Sequence, residues 1–282
     1  MNRAEAVAAV GAAPLDPAAH AALGDMFVAA GELRPAVACY RSALALGGEG
    51  DELHMKAATG RDISMDGLDH NRFYRLSCLR DELRILADCD DFSLLDIGGG
   101  DGALALFLPD TAYQLIEPGT NGLGAEDLPH ADNSVDLVCA CHVYEHIPPG
   151  DREAFLDGLV RIARKHVLLL NPFAVEGGRH EERLQITVDL LNADWAREHL
   201  ECGLPELDEV TAWAGRRGLT CRTKPNGATG TSFLATYVNH YARLAGRSAE
   251  ADRINRYLNS LPTELLVAPN LPSAWFVHLA VS

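Results

Sequence analysis

Residues 94–102 read LLDIGGGDG, and this stretch decides the fold. An apolar run ends in an acid and breaks into glycines, and residues 103–107 then have a helical pattern, which indicates a strand, a tight turn and a helix. Such a unit opens a doubly wound α/β sheet. Glycine is needed because the backbone must turn sharply and let a ligand approach without a Cβ in the way. We therefore expect a ligand across the carboxyl end of this strand, beside the amino end of the helix.

Two classes of cofactor fit this geometry. Residues 98–103 match the dinucleotide fingerprint G-x-G-x-x-A, with Glu117 at the distance expected for a ribose contact. The alternative is S-adenosylmethionine (SAM), whose site begins with acid-x-Gly-x-Gly, here starting at Asp96. Asp96 would repel a pyrophosphate and suits an ammonium and a sulfonium, and Asp101 adds an acid where a phosphate would otherwise lie. These acids favour SAM over a nucleotide-dependent oxidoreductase.

Size, charge and cysteine content bound the class of protein. The chain has 282 residues, of which 48% are hydrophobic, so one large domain plus a small module can be built. The formal charge of −16 disfavours a nucleic-acid partner, because no basic field is available to release counterions. Seven cysteines without a CxxC pair, and no leading signal peptide, predict a reduced cytoplasmic setting. No apolar run is long enough to span a bilayer, so no membrane partner is expected.

Residues 1–50 are predicted to form a helical hairpin preceded by a frayed or loosely helical segment at 1–13. The hairpin is similar to one tetratricopeptide repeat, on the spacing of Leu23, Gly24, Phe27, Gly31, Ala36, Tyr40, Ala43 and Leu44. Such arrays need roughly three repeats to be stable alone, so this hairpin must pack against something else. A cap on the main domain or a homodimer contact is the simpler interpretation, and a docking platform for a protein partner is the alternative.

Residues 51–90 are predicted to be a connector followed by a helix that covers the cofactor. Asp69 is a suitable N-cap, and an apolar stripe follows it at Phe73, Leu76, Leu79, Leu83 and Leu86. Asn71, Arg72 and Tyr74 are candidate substrate contacts on this helix. A plain amphipathic packing helix is the alternative.

The remaining pattern predicts alternating strands and helices. Strands are expected at 93–97, 111–116, 135–141, 166–170, 219–222 and 274–281, and helices at 101–108, 152–165, 207–217, 233–244 and 249–260.

Three blocks then carry a family resemblance: LLDIGGGDG (94–102), LIEPG (115–119) and LPHADNSVDLVCACHVYEHIP (128–148). The chain resembles the class I SAM-dependent methyltransferases of the broad type-11 group over residues 94–172. The resemblance implies a Rossmann-like α/β domain at 91–282, with a seven-stranded sheet, six strands parallel and the last antiparallel. It also implies acceptor-binding insertions at 173–270.

The resemblance implies a cofactor site for SAM, with S-adenosylhomocysteine (SAH) as product. The pocket for the methionine part would be shaped by Asp96, Gly98, Gly99 and Gly100, and Glu117 would hold the ribose. Asp127 and Leu128 would border the adenine, and Cys141 and His142 would lie near the sulfonium. Many relatives carry an acid at position 124, which is glycine here. Either Glu126 or Asp127 replaces that acid, or the loop is remodelled.

Methyl transfer to an alcohol or a protonated amine needs a base, and His142 is the leading candidate because a strand end delivers it to the active edge of the sheet. The runner-up bases are His180 and His199, and Asn171 and Arg179 are candidate substrate contacts. Glu145 and His146 are expected to be structural, closing the turn into the next helix.

No metal site is predicted, because no HExxH or close acid-x-acid motif is present. The expected acceptor is a small polar molecule, a sugar or a specialised metabolite, methylated on O or N. A non-catalytic SAM-binding scaffold acting through the hairpin remains a third hypothesis.

Overall fold

The computed structural model describes residues 1–89, 91–126, 128–174 and 179–281. The strands are β1 Ser93–Ile97, β2 Ala112–Ile116, β3 Val135–Cys141, β4 Ala163–Asn171, β5 Thr220–Asn226 and β6 Ala274–Ala280. The helices are α1 Arg3–Ala12, α2 Pro17–Ala29, α3 Leu33–Ala45, α4 Asp51–Ala58, α5 His70–Ala87, α6 Leu104–Phe107, α7 Pro118–Asn121, α8 Arg152–Ile162, α9 His180–Leu191, α10 Asp194–Cys202, α11 Leu207–Arg216, α12 Thr229–Leu244 and α13 Ser248–Asn259. Short 3₁₀ turns lie at Thr59–Asp62, Tyr144–His146, Pro149–Asp151 and Thr263–Leu266.

The strands form one mixed sheet in the order β2-β1-β3-β4-β6-β5. The strands β2, β1, β3 and β4 run parallel to one another, and β6 runs antiparallel to both of its neighbours. The α/β class and the antiparallel last strand are therefore confirmed. The sheet has six strands rather than the expected seven, since no strand lies between β2 and β3 in the described ranges.

Both faces of the sheet are buried, which explains why its central strands are almost wholly apolar. One face of β1 packs Leu95 and Ile97 into a core shared with α2, α3, α8 and α11. The other face packs Leu94 into a core with Leu79 and Leu83 of α5. Asp69 caps α5 as predicted, its side chain accepting a hydrogen bond from Asn71 N.

The helical hairpin covers the edge strand β2. The Leu115 amide donates a hydrogen bond to Ser42 Oγ of α3 over 3.1 Å, and the guanidinium of Arg41 donates to the Thr111 carbonyl. Gln114, on the same strand, is joined by a 2.9 Å hydrogen bond to His130, which lies in the segment before β3. Because an exposed edge strand invites pairing with other chains, this packing gives the hairpin a structural role in the domain.

Three local expectations need correction. Residues 3–12 form the well-capped helix α1, with Ala6 and Val10 fully buried, rather than a frayed segment. The connector contains α4, whose first turn carries two acids that favour a helix start. The helix expected at 101–108 is reduced to α6, because Gly98, Gly100 and Gly102 hold the preceding chain in a left-handed turn.

No helix in the described ranges is long and apolar enough to cross a membrane.

Candidate active site

The glycine loop after β1 is closed in from two sides. Gly98, Gly100 and Gly102 have φ values of +69°, +61° and +71°, a conformation that side chains with a Cβ rarely adopt. A Cβ on Gly98 would lie 2.3 Å from Val143 Cγ2, and one on Gly102 would lie 2.2 Å from Ala38 Cβ. The loop therefore requires glycine for both conformation and space.

Glu117, at the end of β2, ties two loops together. Its Oε2 accepts a hydrogen bond from the Gly100 amide and its Oε1 from the Gly119 amide, each over 2.9 Å. Thr120 Oγ1 donates to the Gly100 carbonyl over 2.7 Å. Each carboxylate oxygen keeps a second lone pair, so Glu117 can also accept hydroxyl groups of a ligand.

Asp101 is neutralised by two arginines from outside the sheet. Arg34 Nε of α3 lies 2.6 Å from Oδ2, and Arg72 of α5 pairs with Oδ1. Burial acts to raise the pKa of Asp101, but Arg72 and Arg34 outweigh it and hold that pKa below its ordinary value. Arg72, expected as a substrate contact, therefore braces the glycine loop instead.

Asp96 lies beneath the loop rather than on its open side. Its side chain is buried and accepts a hydrogen bond from Tyr113 Oη over 2.7 Å, and Cys139 Sγ lies 3.6 Å from the other oxygen. Burial raises the pKa of Asp96 to about 6. A Cβ on Gly99 would lie 2.2 Å from Asp96 Oδ2. This differs from the expectation of a charge presented to the cofactor, since both oxygens point at protein groups.

His142 follows β3 in a left-handed conformation, with φ at +57°. Its amide donates to the Leu170 carbonyl over 2.8 Å, and its Nδ1 lies 3.1 Å from Glu145 Oε1. Burial and the charge of Arg75 lower the pKa of His142 against the pull of Glu145, so the ring is neutral. Its Nε2 is buried and has no hydrogen-bond partner among the described residues. With the Nδ1 proton directed at the carboxylate, Nε2 is left as a proton acceptor.

Glu145 is the buried anion behind His142. Its side chain is fully buried, and Asn171 Nδ2 donates a hydrogen bond to Oε2. Burial acts to raise the pKa of Glu145, but the neighbouring His142 and His199 outweigh it and hold that pKa below its ordinary value. Asn171, expected as a substrate contact, is fully buried and positions this carboxylate instead.

A cavity of about 440 Å³ opens in front of His142. Five of the predicted residues line it, namely Asn71, Tyr74, His142, His180 and His199. Arg179 is exposed and lies 3.4 Å from Glu182, so it is not part of this wall. The sequence reasoning missed several lining residues: Arg75, Glu145, His146, Arg183, Trp195, Ser232 and Thr236. Among these residues, only Glu145 and His146 could have been predicted from the sequence, because they follow His142 closely at the end of a strand.

The runner-up histidines have close partners. His180 Nδ1 lies 2.6 Å from Arg183 Nη2, and burial lowers the pKa of His180 to about 4. His199 Nε2 lies 3.2 Å from His146 Nε2 and 3.8 Å from Glu145 Oε1. Burial also lowers the pKa of His199 to about 4, so both rings are neutral at pH 7.

The remaining candidates lie around the predicted cofactor side. Cys141 is half-buried, and burial raises the pKa of its thiol to about 12. Leu128 packs on the core beside α8, and its carbonyl accepts from Arg161 over 3.0 Å. Asp127 lies outside the described residues. A Cβ on Gly124 would lie 2.2 Å from both carboxylate oxygens of Glu126, so this acid folds over the position where relatives carry theirs.

Comparison with protein families identifies part of the chain. Residues 122–170 match the family model described as a methyltransferase domain, Methyltransf_11. The match confirms the resemblance to the type-11 methyltransferase group over these residues. A search among curated proteins finds no match.

Solved structures also resemble the chain. A protein from Galdieria sulphuraria described as a sarcosine dimethylglycine methyltransferase is 14% identical, covering 82% of this chain and 96% of its own at a TM-score of 0.48. The plantazolicin methyltransferase with SAH is 10% identical, with coverages of 92% and 98% and a TM-score of 0.46. The magnesium protoporphyrin IX methyltransferase from Synechocystis PCC 6803 with SAH is 12% identical, with coverages of 86% and 93% and a TM-score of 0.46.

Proposed function

We propose that this chain binds SAM and transfers its methyl group to O or N of a small polar acceptor, a sugar or a specialised metabolite. One juxtaposition carries the proposal. The glycine loop lies at the carboxyl end of β1, and Glu117, whose carboxylate can bind a ribose, lies at the carboxyl end of β2. A cavity begins at His142, at the end of β3, which is the other neighbour of β1 in the sheet.

The glycine loop and Glu117 fit the binding of SAM. Gly98 and Gly100 are partly exposed beside Val143 and Arg72, and without a Cβ of their own they let a ligand approach the backbone of the loop. Glu117 is held beside Gly100 and can accept the two ribose hydroxyls. SAM supplies an electrophilic methyl group on a cationic sulfur. The chain has to align an acceptor atom with that methyl group and keep water away.

His142 is the proposed base. Its neutral ring points Nδ1 at Glu145, which leaves Nε2 to take the acceptor's proton as the bond to the methyl group forms. Glu145, held by Asn171, fixes this orientation and stabilises the ring once it is protonated. The pair thus works as a base and the carboxylate that orients it.

The cavity supports a small polar acceptor. Its volume of about 440 Å³ lies in the range of small-molecule sites. Its wall combines hydroxyl and amide groups from Asn71, Ser232 and Thr236 with the aromatic Trp195. Such a wall suits an acceptor that carries several hydrogen-bonding groups on a compact frame.

Titration calorimetry with SAM, SAH and NADH tests the cofactor assignment. We expect SAM and SAH to bind with one equivalent and NADH to give no heat of binding. Binding of NADH alone would overturn the proposal and support an oxidoreductase. Binding of SAM with no transfer to any member of a panel of small hydroxyl and amine compounds would leave the scaffold hypothesis as the better one.

A further inference from the structure

Three potential metal ligands converge in the wall of the cavity. Glu145, His146 and His199 each offer one ligand atom, and these atoms lie within 4.8 Å of one another. Glu145 and His146 belong to the 3₁₀ turn after β3, and His199 comes from α10. Two separate segments of the chain thus bring a carboxylate and two imidazoles together.

Two of the three separations between these atoms are close to those of ligands on a single ion. His146 Nε2 lies 3.2 Å from His199 Nε2, which lies 3.8 Å from Glu145 Oε1. Ligands in a tetrahedral zinc site, with bonds near 2.0–2.1 Å, are about 3.3 Å apart. All three ligand atoms lie within 4.8 Å of one another, so the side chains have to move closer together to bind one ion at these distances.

The ligand atoms also have lone pairs to give. Glu145 Oε1 is buried beside His142 Nδ1, 3.1 Å away, and a carboxylate oxygen keeps a second lone pair for another partner. The two Nε2 atoms face each other, so at most one proton can bridge them. A buried anionic oxygen beside two imidazole lone pairs is a donor set that a divalent cation satisfies.

The outer contacts orient the ligands. Glu198 Oε2 lies 2.7 Å from His146 Nδ1, an arrangement that puts the ring proton on Nδ1 and leaves Nε2 free. Asn171 donates to the second oxygen of Glu145. Carboxylate–histidine–metal arrangements of this kind are the usual support around metal ligands.

We propose that Glu145, His146 and His199 bind a divalent transition-metal ion, with zinc as the first candidate. Two imidazoles and one carboxylate form the set that leaves a coordination position open in catalytic zinc sites. All three residues line the cavity, so the open position is accessible to a molecule bound there. The proposal replaces the expectations that the chain has no metal site and that Glu145 and His146 only close a turn.

The consequence for the acceptor rests on the proposed methyl transfer. An ion at this place would bind an oxygen or nitrogen of the acceptor and lower its pKa. We therefore expect acceptors with two neighbouring donor atoms, such as a vicinal diol, to be preferred over simple alcohols. The ion would then select the acceptor, while His142 remains the neighbouring base.

The test uses the full chain, freed of metal with a chelator and titrated with Zn²⁺ by calorimetry and with Co²⁺ by visible absorption. We expect one equivalent of each ion, and a Co²⁺ spectrum typical of mixed nitrogen and oxygen ligands. His199→Ala and Glu145→Gln should abolish the spectrum. Glu198→Gln should weaken Zn²⁺ binding by about 10–100-fold, because it removes the outer support of His146.

A second histidine pair provides the matched control. His278 Nε2 and His166 Nδ1 lie 3.1 Å apart across β4 and β6, and neither belongs to a metal-ligating group in the described part of the chain. His278→Ala should therefore bind Zn²⁺ and Co²⁺ as the unchanged chain does. Circular dichroism on each variant checks that the fold is retained.

Two results would overturn the proposal. One is the absence of Zn²⁺ and Co²⁺ binding, and the other is binding that His199→Ala and Glu145→Gln leave unchanged. Because no SAM is present in these titrations, their failure is separate from failure of the proposed function. A chain that binds SAM but no metal refutes only the metal site, and one that binds metal but no SAM refutes only the cofactor assignment.

Discussion

The cofactor side and the acceptor side of the candidate site differ in how their polar groups are satisfied. Beside the glycine loop, Glu117 accepts two amide hydrogen bonds and Asp101 is paired with two arginines. At the cavity, His142 Nε2 is buried and has no hydrogen-bond partner in the described ranges. The first side is organised before any ligand arrives, and the second keeps its groups ready for one.

This difference has an energetic reason. A buried polar atom without a partner costs about 1–3 kcal/mol, so a fold keeps such atoms only where the surroundings hold them in place. On the cofactor side, hydrogen bonds and ion pairs join the glycine loop and β2 to α3 and α5. We therefore expect substitutions there to lower stability more than substitutions at the cavity do.

The largest expected effect breaks the cofactor side. Gly102→Ala should lower the free energy of unfolding by about 3 kcal/mol, because the new Cβ meets Ala38 in a left-handed turn. Gly31→Ala is the matched control: Gly31 also has a positive φ, +77°, but a Cβ there meets nothing within 4 Å. Urea unfolding of both variants measures the difference, and equal losses would show that the loop is not clamped by the hairpin.

Breaking the acceptor side should affect rate and not cofactor affinity. We expect His142→Ala to slow methyl transfer by about 100-fold, the usual contribution of a positioned base, with SAM affinity near normal. Single-turnover kinetics and calorimetry measure the two quantities separately. Retention of the full rate would remove His142 as the base.

Glu117→Gln sharpens the assignment of the cofactor side. The amide keeps the shape of the side chain but replaces one accepting oxygen by a donor, which faces a backbone N–H or a ribose hydroxyl. We expect SAM binding to weaken by about 10-fold, since a charge-assisted hydrogen bond is lost. Glu153→Gln, on the exposed surface of α8, is the control and should bind SAM normally. Unchanged binding in Glu117→Gln would contradict the ribose assignment.

The smallest effect concerns the brace at Asp101. Because the pKa of Asp101 is lowered in the folded chain, its pairing stabilises the fold above the ordinary carboxyl value of 3.8 and is lost as the pH falls below it. Arg34→Gln should therefore destabilise the chain by about 0.5 kcal/mol at neutral pH, given the exposure of this pair. Urea unfolding from pH 7 down to about 3 should show the difference from the unchanged chain shrink once the pH falls below 3.8, towards the folded pKa of Asp101. A constant difference would exclude the ion pair as its cause.

Several parts of the fold could be predicted because their cause is local. The apolar runs of β1, β3 and β4, the N-cap Asp69 and the glycine turn each follow from the chemistry of a few neighbouring residues. α1 was expected only as a frayed or loosely helical segment, because its sequence is rich in alanine and has no strong apolar stripe. Its order comes from burying Ala6 and Val10. The helices α9 and α10 were also missed, and much of their surface is polar.

The sequence by itself determined the strand–turn–helix unit at residues 94–107, the acid at position 117 and the histidine at the end of β3. These depend on patterns that act within a few residues of the chain. Only the tertiary structure decided that Asp96 points into the core, that Arg72 binds Asp101, and that His199 meets Glu145 and His146. Those outcomes depend on contacts between segments far apart in the chain, and on the burial that forces each polar group to find a partner or remain without one.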